Sequence, residues 1–317
     1  MKPKILVVLA NLGGPSSLGG VRSFLFNLFY DKAILRVPNP VRFFLAAFIS
    51  LGRLRKAKEI YSLLGGKSPI LENTLKQAGA LKKSLEKDFD VWVVPVMRYS
   101  RPRAKDALEV LRAFNPDWVV FLPLYPHFST TTTQSSIKEW EGVAPQWRSK
   151  TLIQDSYFDD PYFVGAHQML IEPVLRGVAK GDAVRVLFSA HGLPQKVIDD
   201  GDPYQQHVES SVSSIMEKFK ETDCAVCYQS RVGPLKWIGP SLEEELKRAA
   251  EECVGVVVVP ISFVSDHSET LVELDIEYTE KAREWGVPFY KRVPALGCNT
   301  LFIKCLENNV RNLLGKT

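Results

Sequence analysis

The sequence VGVVVVPISFVSDHSETLVELDIEY, residues 254–278, contains two different patterns in direct succession. The apolar run 254–264 predicts a strand that is buried on both faces. The residues after it include an Asp, a His and three glutamates, Glu269, Glu273 and Glu277, which recur at every fourth position. Residues four apart lie on one side of a helix. The stretch therefore predicts a buried strand followed by a helix with a row of carboxylates.

Other apolar runs predict further strands, and the stretches between them have helical periodicity. Strands buried on both faces and alternating with helices are typical of mostly parallel sheets flanked by helices, the α/β class. The runs form two sets, so we predict two α/β domains, 1–160 and 161–317, rather than one wide sheet. In such folds ligands bind beyond the carboxyl ends of the strands, in the cleft between domains. The runs are 5–11, 91–97, 118–124 and 184–190, and the clearest helical stretches are 101–114 and 242–253.

The composition excludes several classes of protein. A length of 317 residues allows two domains with their own cores. The net charge of +4, without a Lys/Arg-rich tract, does not indicate a nucleic-acid partner. Five cysteines, an odd number, predict reduced thiols and a cytoplasmic setting rather than a disulfide framework. The first apolar run leads into a Gly-Gly-Pro turn without the pattern of a signal peptide, so we expect it to be the first strand.

Two short motifs lack the context that their usual functions need. GGKSP, residues 65–69, ends like a phosphate-binding loop, but Tyr61 stands where the earlier glycine is required. No Gly-x-Gly-x-x-Gly follows a predicted strand, so the sequence does not indicate a dinucleotide. Cys224 and Cys227 lie in a predicted strand, where a spacing of three points the thiols to opposite faces. Because no second pair completes a metal site, we interpret them as core cysteines.

The residues after the predicted strands also have ordinary structural interpretations. His191 ends one strand, where a histidine is often only hydrogen-bonded. Asp266 and Glu269 have the spacing of a capping box. Glu273 and Glu277 fit a solvated helix face.

The helical wheel favours a functional interpretation of the glutamates. At about 100° per residue, the three occupy an arc of roughly 80° between two apolar flanks. A carboxylate row in that position is partly buried, and a buried carboxylate without a partner is costly. The row therefore predicts a path for metal ions or protons.

Insertion of a divalent metal into a porphyrin fits these side chains. A neutral imidazole accepts protons near pH 7 and also binds Fe²⁺. Fe²⁺ would enter as a substrate, and the reaction needs no tightly bound cofactor. Apolar and aromatic side chains suit the faces of the macrocycle, and cations or hydroxyls suit its propionates. The candidates are Leu12, Tyr125, Trp237 and Phe263 for the ring, and Tyr61, Ser68, Arg98 and Tyr99 for the propionates.

Three longer motifs resemble those of the ferrochelatases, which insert ferrous iron into a porphyrin at the end of haem synthesis. They are LANLGGP at 9–15, LFSAHGLPQKVIDDGDPY at 187–204 and YQSRVGPLKWIGPS at 228–241. The resemblance implies two Rossmann-like (chelatase-type) domains with the porphyrin in the cleft between them. It implies His191 as iron ligand or proton acceptor and Glu269 as the carboxylate opposite, both near the metal. We expect the two side chains to face each other across a space wide enough for a porphyrin ring. Asp266, His267 and Glu273 extend this acidic network.

The chain also departs from some ferrochelatases. Some relatives hold a [2Fe–2S] cluster in a carboxyl-terminal extension, and Thr130 stands where they have the remaining cysteine ligand, so we expect no cluster. Relatives that use coproporphyrin tend to have a Tyr at the position of Leu12, which favours protoporphyrin IX as the substrate. The alternatives are a coproporphyrin ferrochelatase, another tetrapyrrole chelatase, or a non-catalytic tetrapyrrole or haem carrier.

Residues 41–56, VRFFLAAFISLGRLRK, correspond to a hydrophobic lip at the active-site mouth of the family. The apolar run is too short to span a bilayer. A core helix is one interpretation. Three phenylalanines followed by three cations also suit a helix that contacts acidic lipid. We therefore expect a cytoplasmic protein with peripheral contact to the inner membrane, and the sequence indicates no oligomeric state.

Overall fold

The computed structural model describes residues 2–315 except Val232 and Pro234. The chain forms two compact units, one of Met1–Ser156 with Ile303–Thr317 and one of Tyr157–Phe302. The sequence placed a single boundary after residue 160 and the last residues in the second half. In the structure, the carboxyl-terminal residues from Ile303 onward group with the first unit, where Arg311 forms an ion pair with Asp88 at 2.7 Å.

The first unit contains a four-stranded parallel sheet with the strand order β2-β1-β3-β4. Strand β1 lies between two neighbours, and every residue after Lys4 in it is buried. This explains why the run is apolar on both faces. The three predicted strands of this half are confirmed, whereas the short β4 has no apolar run long enough to predict it. The strands are β1 (Lys4–Asn11), β2 (Asp90–Met97), β3 (Trp118–Pro123) and β4 (Thr151–Ile153).

Helices cover the sheet of the first unit. One core cluster joins the sheet to the helices that follow β2 and β3, with Phe121 and Trp140 at 5.7 Å between ring centroids. The helix predicted at 101–114 begins at Ala104, where Asp106 caps its first turn through the Arg103 N–H. The helices are α1 (Val21–Tyr30), α2 (Asn39–Leu63), α3 (Ile70–Leu85), α4 (Ala104–Phe114) and α5 (Thr133–Val143), with 3₁₀ segments at Leu18–Gly20 and Pro145–Lys150.

The second unit repeats this topology with the order β6-β5-β7-β8. All neighbouring strands are again parallel. The predicted α/β class with two mostly parallel sheets is thereby confirmed. The strand predicted over 254–264 ends at Pro260, and the chain turns at Ile261. The strands are β5 (Val184–His191), β6 (Asp223–Gln229), β7 (Gly255–Pro260) and β8 (Tyr290–Arg292).

The helix predicted after β7 exists, but it is a π-helix over Glu269–Tyr278, so the assumption of α-helical winding was wrong. Its Leu274 and Tyr278 pack in the same core cluster as Leu187 and Val258 of the sheet. A π-helix of this length is uncommon, and π-helical turns often lie at functional sites. The α-helices are α6 (Pro161–Arg176), α7 (Gln195–Asp199), α8 (Tyr204–Met216), α9 (Leu242–Glu251), α10 (Thr279–Trp285) and α11 (Thr300–Leu314).

The α2 helix exposes most of its apolar residues. Phe44 is 72% exposed and Phe48 is 77% exposed. Only Ala46, Ser50 and Tyr61 of this helix are buried, so the interpretation of residues 41–56 as a core helix is wrong. Among the residues that the structure describes, no helix has both the length and the apolar composition needed to cross a bilayer.

Gly255, the first residue of β7, is required by close packing. A Cβ atom at this position would lie 2.1 Å from Cε1 of Phe289. We expect Gly255→Ala to lower the free energy of unfolding by about 1–3 kcal/mol, since the ring must move. Urea unfolding followed by tryptophan fluorescence measures this change.

Gly79 of α3 supplies the control. Apart from its chain neighbours and the backbone of its own helix, no heavy atom of the described residues lies within 4 Å of a Cβ built there. Gly79→Ala should therefore raise stability by up to about 1 kcal/mol, as expected for a helix interior. Equal stability of Gly255→Ala and the wild type would contradict the packing argument.

Candidate active site

The centre of the site is a contact between the end of β5 and the π-helix. Nδ1 of His191 lies 2.7 Å from Oε2 of Glu269, although the residues are 78 positions apart. The imidazole is 41% exposed and the carboxylate side chain 24% exposed. Two of the predicted catalytic residues thus form a hydrogen-bonded pair that solvent and small ligands can reach. The prediction that they face each other across a space wide enough for a porphyrin ring is wrong, because the two side chains are in direct contact.

Ser230 follows β6 and contacts both glutamates of the site. Its Oγ lies 2.6 Å from Oε2 of Glu273 and 3.2 Å from Oε2 of Glu269. Its backbone N–H donates to Oε1 of Glu273 at 3.0 Å. The φ of Ser230 is +62°, a left-handed conformation that few residues other than glycine adopt. The carboxylates are therefore held by a serine in an unusual backbone conformation.

Gln229 adds a second contact from the same strand end. Its Nε2 donates to the backbone oxygen of Glu269 at 3.1 Å, and its Oε1 accepts from Ser189 at 2.7 Å. Sequence reasoning did not identify Gln229 or Ser230 as site residues. The signal was present, because both are polar residues at the carboxyl end of a predicted strand.

His267 supports the start of the π-helix. Its Nδ1 accepts from the backbone N–H of Glu269 at 3.1 Å, and its own N–H donates to Oγ1 of Thr270 at 3.0 Å. Asp266, considered for a capping box with Glu269, pairs with Arg292 at 2.9 Å. His267 thus orients Glu269 through the main chain.

Burial and neighbouring charges shift the pKa values of His191, Glu269 and Glu273 in different directions. Packing around His191 lowers its pKa, but the Glu269 carboxylate raises it by more, so the net shift is upward. Burial raises the pKa of Glu269, and the charge and hydrogen bond of His191 then lower it to about 2. Burial and the charge of Glu269 raise the pKa of Glu273. Of the two carboxylates, Glu273 therefore accepts a proton before Glu269 as the pH falls.

Two of the predicted ring-binding residues also lie in the second unit. Trp237 pairs with Pro194 through a β-bridge, and a Cβ built on Gly192 would lie 3.4 Å from its indole. Phe263 packs edge-on against the imidazole of His267, with 4.8 Å between ring centroids. Both aromatic rings are thus attached to the segments that carry the pair His191 and Glu269.

The predicted propionate ligands Arg98 and Tyr99 lie in the first unit and contact the buried Asp31. The Arg98 guanidinium donates to Asp31 at 2.8 Å and to Ser135 at 2.8 Å, and the Tyr99 hydroxyl donates to Asp31 at 2.7 Å. Burial raises the pKa of Asp31, but Arg98 and the hydrogen bonds lower it by more. Sequence reasoning missed Asp31, and contact of Arg98 or Tyr99 with a porphyrin stays a prediction.

The remaining predicted ring and propionate residues are also in the first unit. Leu12 and Tyr61 belong to a core cluster with Tyr99, and Tyr61 is buried. Ser68 donates its N–H to the Pro15 oxygen at 2.8 Å. Tyr125 is partly buried. None of these contacts tests their role in binding.

Within residues 2–315, leaving aside Val232 and Pro234, no group of three or more His, Cys, Asp or Glu side chains is arranged as a metal site. The predicted iron contacts, His191 and Glu269, are two. Contact of these two residues with iron stays a prediction.

A family model described as Ferrochelatase matches residues 4–314. The chain belongs to the ferrochelatase family. The ferrochelatase of Wolbachia sp. subsp. Drosophila simulans (strain wRi) is 50% identical over 316 residues, which cover 98% of this chain and 99% of the relative. Identity to the ferrochelatase of Rickettsia bellii (strain OSU 85-389) is 44% over 321 residues, covering 99% of this chain and 88% of the relative. The family resemblance that the motifs indicated is thereby confirmed.

Solved structures with this fold include SirB and CbiX. SirB from Bacillus subtilis with Fe³⁺ has a TM-score of 0.60 at 14% identity, covering 99% of this chain and 96% of SirB. CbiX, described as the terminal enzyme for biosynthesis of siroheme in denitrifying bacteria, has a TM-score of 0.52 at 10% identity, with 98% of each chain covered. At such identities the likeness establishes a chelatase-type fold for this member of the ferrochelatase family.

The upward pKa shift of His191 can be measured by NMR titration of the imidazoles in the metal-free protein. We expect a His191 midpoint above 6.5, and a lower midpoint in Glu269→Gln because the raising charge is removed.

The same shift makes the stability of the folded protein depend on pH. The pairing of His191 with Glu269 stabilises the fold fully below pH 6.5, and that contribution is lost as the pH rises through the shifted pKa of His191. The lowered pKa of Glu269 sets a second limit. The stabilising contribution of the pair is present above pH 4.5, and it is lost as the pH falls toward 2 and the carboxylate takes up a proton.

His167 is the internal control in the same spectra. Burial lowers its pKa to about 3, so it should stay neutral across the titration in both proteins. A His191 midpoint that does not move in Glu269→Gln would show that the carboxylate does not control the imidazole.

Proposed function

We propose that this member of the ferrochelatase family inserts Fe²⁺ into protoporphyrin IX, releases two protons and forms protohaem. The observation that carries the proposal is the contact of His191 with Glu269 and, through Ser230, with Glu273. A porphyrin loses two pyrrole protons as the metal enters, so the site must accept protons and tolerate a dication. An imidazole next to two carboxylates can do both.

In the proposed mechanism, neutral His191 accepts pyrrole protons and contacts the entering iron. Glu269 balances the imidazolium charge and passes protons on towards Glu273, whose raised pKa makes it the better proton acceptor of the two carboxylates. Asp266 and His267 hold the start of the π-helix. General-base assistance of this kind contributes about 10²–10⁴ in rate. Fe²⁺ is a substrate in this scheme, and no resident cofactor or [2Fe–2S] cluster is required.

Trp237 and Phe263 are proposed to contact the ring, because both are aromatic and adjoin the segments of His191 and Glu269. Leu12 is proposed to favour protoporphyrin IX over coproporphyrin, since an aliphatic side chain suits the less polar substrate. The proposed contacts in the first unit are Tyr61, Ser68, Arg98, Tyr99 and Tyr125.

The activity can be tested anaerobically with Fe²⁺ and protoporphyrin IX. We expect the wild type to quench porphyrin fluorescence and form haem over many turnovers. His191→Ala should lower kcat by about 10²–10⁴, because the proton acceptor is lost. Phe128→Leu, a change at a loop residue with no proposed role, serves as the matched control.

The alternatives give other results in the same assay. A tetrapyrrole or haem carrier would bind porphyrin in a 1:1 ratio and form no haem. A coproporphyrin ferrochelatase would have a higher kcat/KM with coproporphyrin than with protoporphyrin. Full activity of His191→Ala would remove His191 from the mechanism.

We further propose that the exposed side of α2 contacts an acidic membrane surface in a cytoplasmic protein. Phe43, Phe44 and Phe48 expose 48%, 72% and 77% of their surface, and Phe43 packs against Phe44 with 5.7 Å between ring centroids. The exposed Arg55 and Lys56 follow on the same helix. Apolar rings beside cations suit an interfacial helix on anionic lipid. A porphyrin that partitions into membranes would reach such a protein directly.

Vesicle sedimentation tests this surface. Phe44→Ser with Phe48→Ser should weaken binding to vesicles of phosphatidylglycerol and phosphatidylcholine by about 10- to 100-fold, from the lost apolar burial. Leu75→Ser on α3 is the control, because Leu75 is 51% exposed but lies outside this surface. Unchanged binding of the double variant would contradict membrane contact through α2.

A further inference from the structure

Arg292 ends the edge strand β8 and contacts the π-helix segment at two places. Its Nη1 lies 2.9 Å from Oδ1 of Asp266, and its Nη2 lies 2.7 Å from Oδ2 of Asp275. Its Nε also donates to Oδ1 of Asp275, so that contact is bidentate. The Arg292 side chain is only 11% exposed. One buried guanidinium therefore joins the carboxylates on either side of Glu269 and Glu273 in the sequence.

We propose that Arg292 is a positioning residue for metal insertion, which holds residues 266–275 in the winding that directs Glu269 at His191. Arg292 contacts Asp266 and Asp275 rather than Glu269 or His191, so it acts through the helix. Only the kinetic test of this inference depends on the proposed function.

The positions of the two carboxylates support this role. Asp266 precedes the π-helix Glu269–Tyr278, and Asp275 lies within it. One guanidinium therefore joins the segment that leads into the helix to the second half of the helix. Bidentate Arg–carboxylate pairs also define orientation, which a point charge does not.

A second residue of β8 acts on the same helix. The Tyr290 hydroxyl donates to the backbone oxygen of Leu274 at 2.9 Å. The same oxygen also accepts from Oγ1 of Thr279 at 3.4 Å, so the strand adds a contact to a carbonyl in the second half of the π-helix. The edge strand thus holds the π-helix through both a side-chain carboxylate and a main-chain oxygen.

Arg185 offers a matched control in the same unit. It is 7% exposed and contacts Asp223 at 2.5 Å and Glu252 at 2.6 Å, so it resembles Arg292 in burial and in number of partners. It lies on β5 six residues before His191, which is about 20 Å along a strand. If the loss of a buried arginine lowers activity only by lowering stability, replacement of either arginine should lower activity. If Arg292 positions the helix, only its replacement should do so.

The experiment compares Arg292→Met, Arg292→Lys and Arg185→Met in the full chain. We expect Arg292→Met to lower kcat by about 10- to 100-fold, since small misplacements of reacting groups have effects of this size. KM for the porphyrin should change less than about threefold, because the proposed ring contacts remain. Arg292→Lys should recover part of kcat. Arg185→Met should lower Tm comparably and keep kcat within about twofold of the wild type at a temperature where it is folded.

A second readout needs no activity. The His191–Glu269 hydrogen bond gives a characteristic ¹⁵N shift at Nδ1 in the metal-free protein, and Arg292→Met should lose it while Arg185→Met keeps it. If the wild type inserts no metal, the proposed function fails, and this shift still tests the role of Arg292. The proposal is overturned if Arg292→Met retains both the shift and kcat, or if Arg185→Met loses them equally.

Discussion

The hydrogen bond between His191 and Glu269 is the interaction on which the arrangement of the site depends. It joins the carboxyl end of a central strand to a helix of irregular winding, at a distance of 2.7 Å. The parallel sheet brings the ends of β5, β6 and β7 to one edge, so the imidazole, the Ser230 contacts and the start of the π-helix meet there. The contact also separates the pKa values of the two glutamates.

The two halves of the molecule repeat the same strand order but differ in how they balance charge. In the first unit, the residue after β2 is Arg98, which contacts Ser135 and Glu139 on the helix that follows β3. In the second unit, the residue after β6 is Ser230, which contacts Glu269 and Glu273 on the helix that follows β7. An arginine neutralises the first cluster. A serine cannot neutralise the second, so its carboxylates retain the capacity to attract a proton or a metal ion.

The sequence was sufficient to predict the sheets, because they follow from apolar runs. His191 and Glu269 were candidates because they follow such runs, and the resemblance to the ferrochelatases added their roles. Their direct hydrogen bond was not predicted, because sequence spacing does not fix the distance between two side chains. The π-helix could not be predicted, since residues four apart share a side in both windings. Short strands such as β8 carry no apolar run, so Arg292 was not predicted as a site residue, and of its two partners only Asp266 was. The left-handed conformation of Ser230 could not be predicted either, because residues other than glycine rarely adopt it.

The division of the chain has a consequence for the order in which the units become complete during synthesis. The second unit, Tyr157–Phe302, is one continuous segment, whereas the first needs residues from 303 onward as well as those before 157. Domains usually fold as units while the chain emerges from the ribosome. All residues of the unit with His191 and the π-helix are therefore synthesised first. The amino-terminal unit can complete its packing only after the last helix has been synthesised.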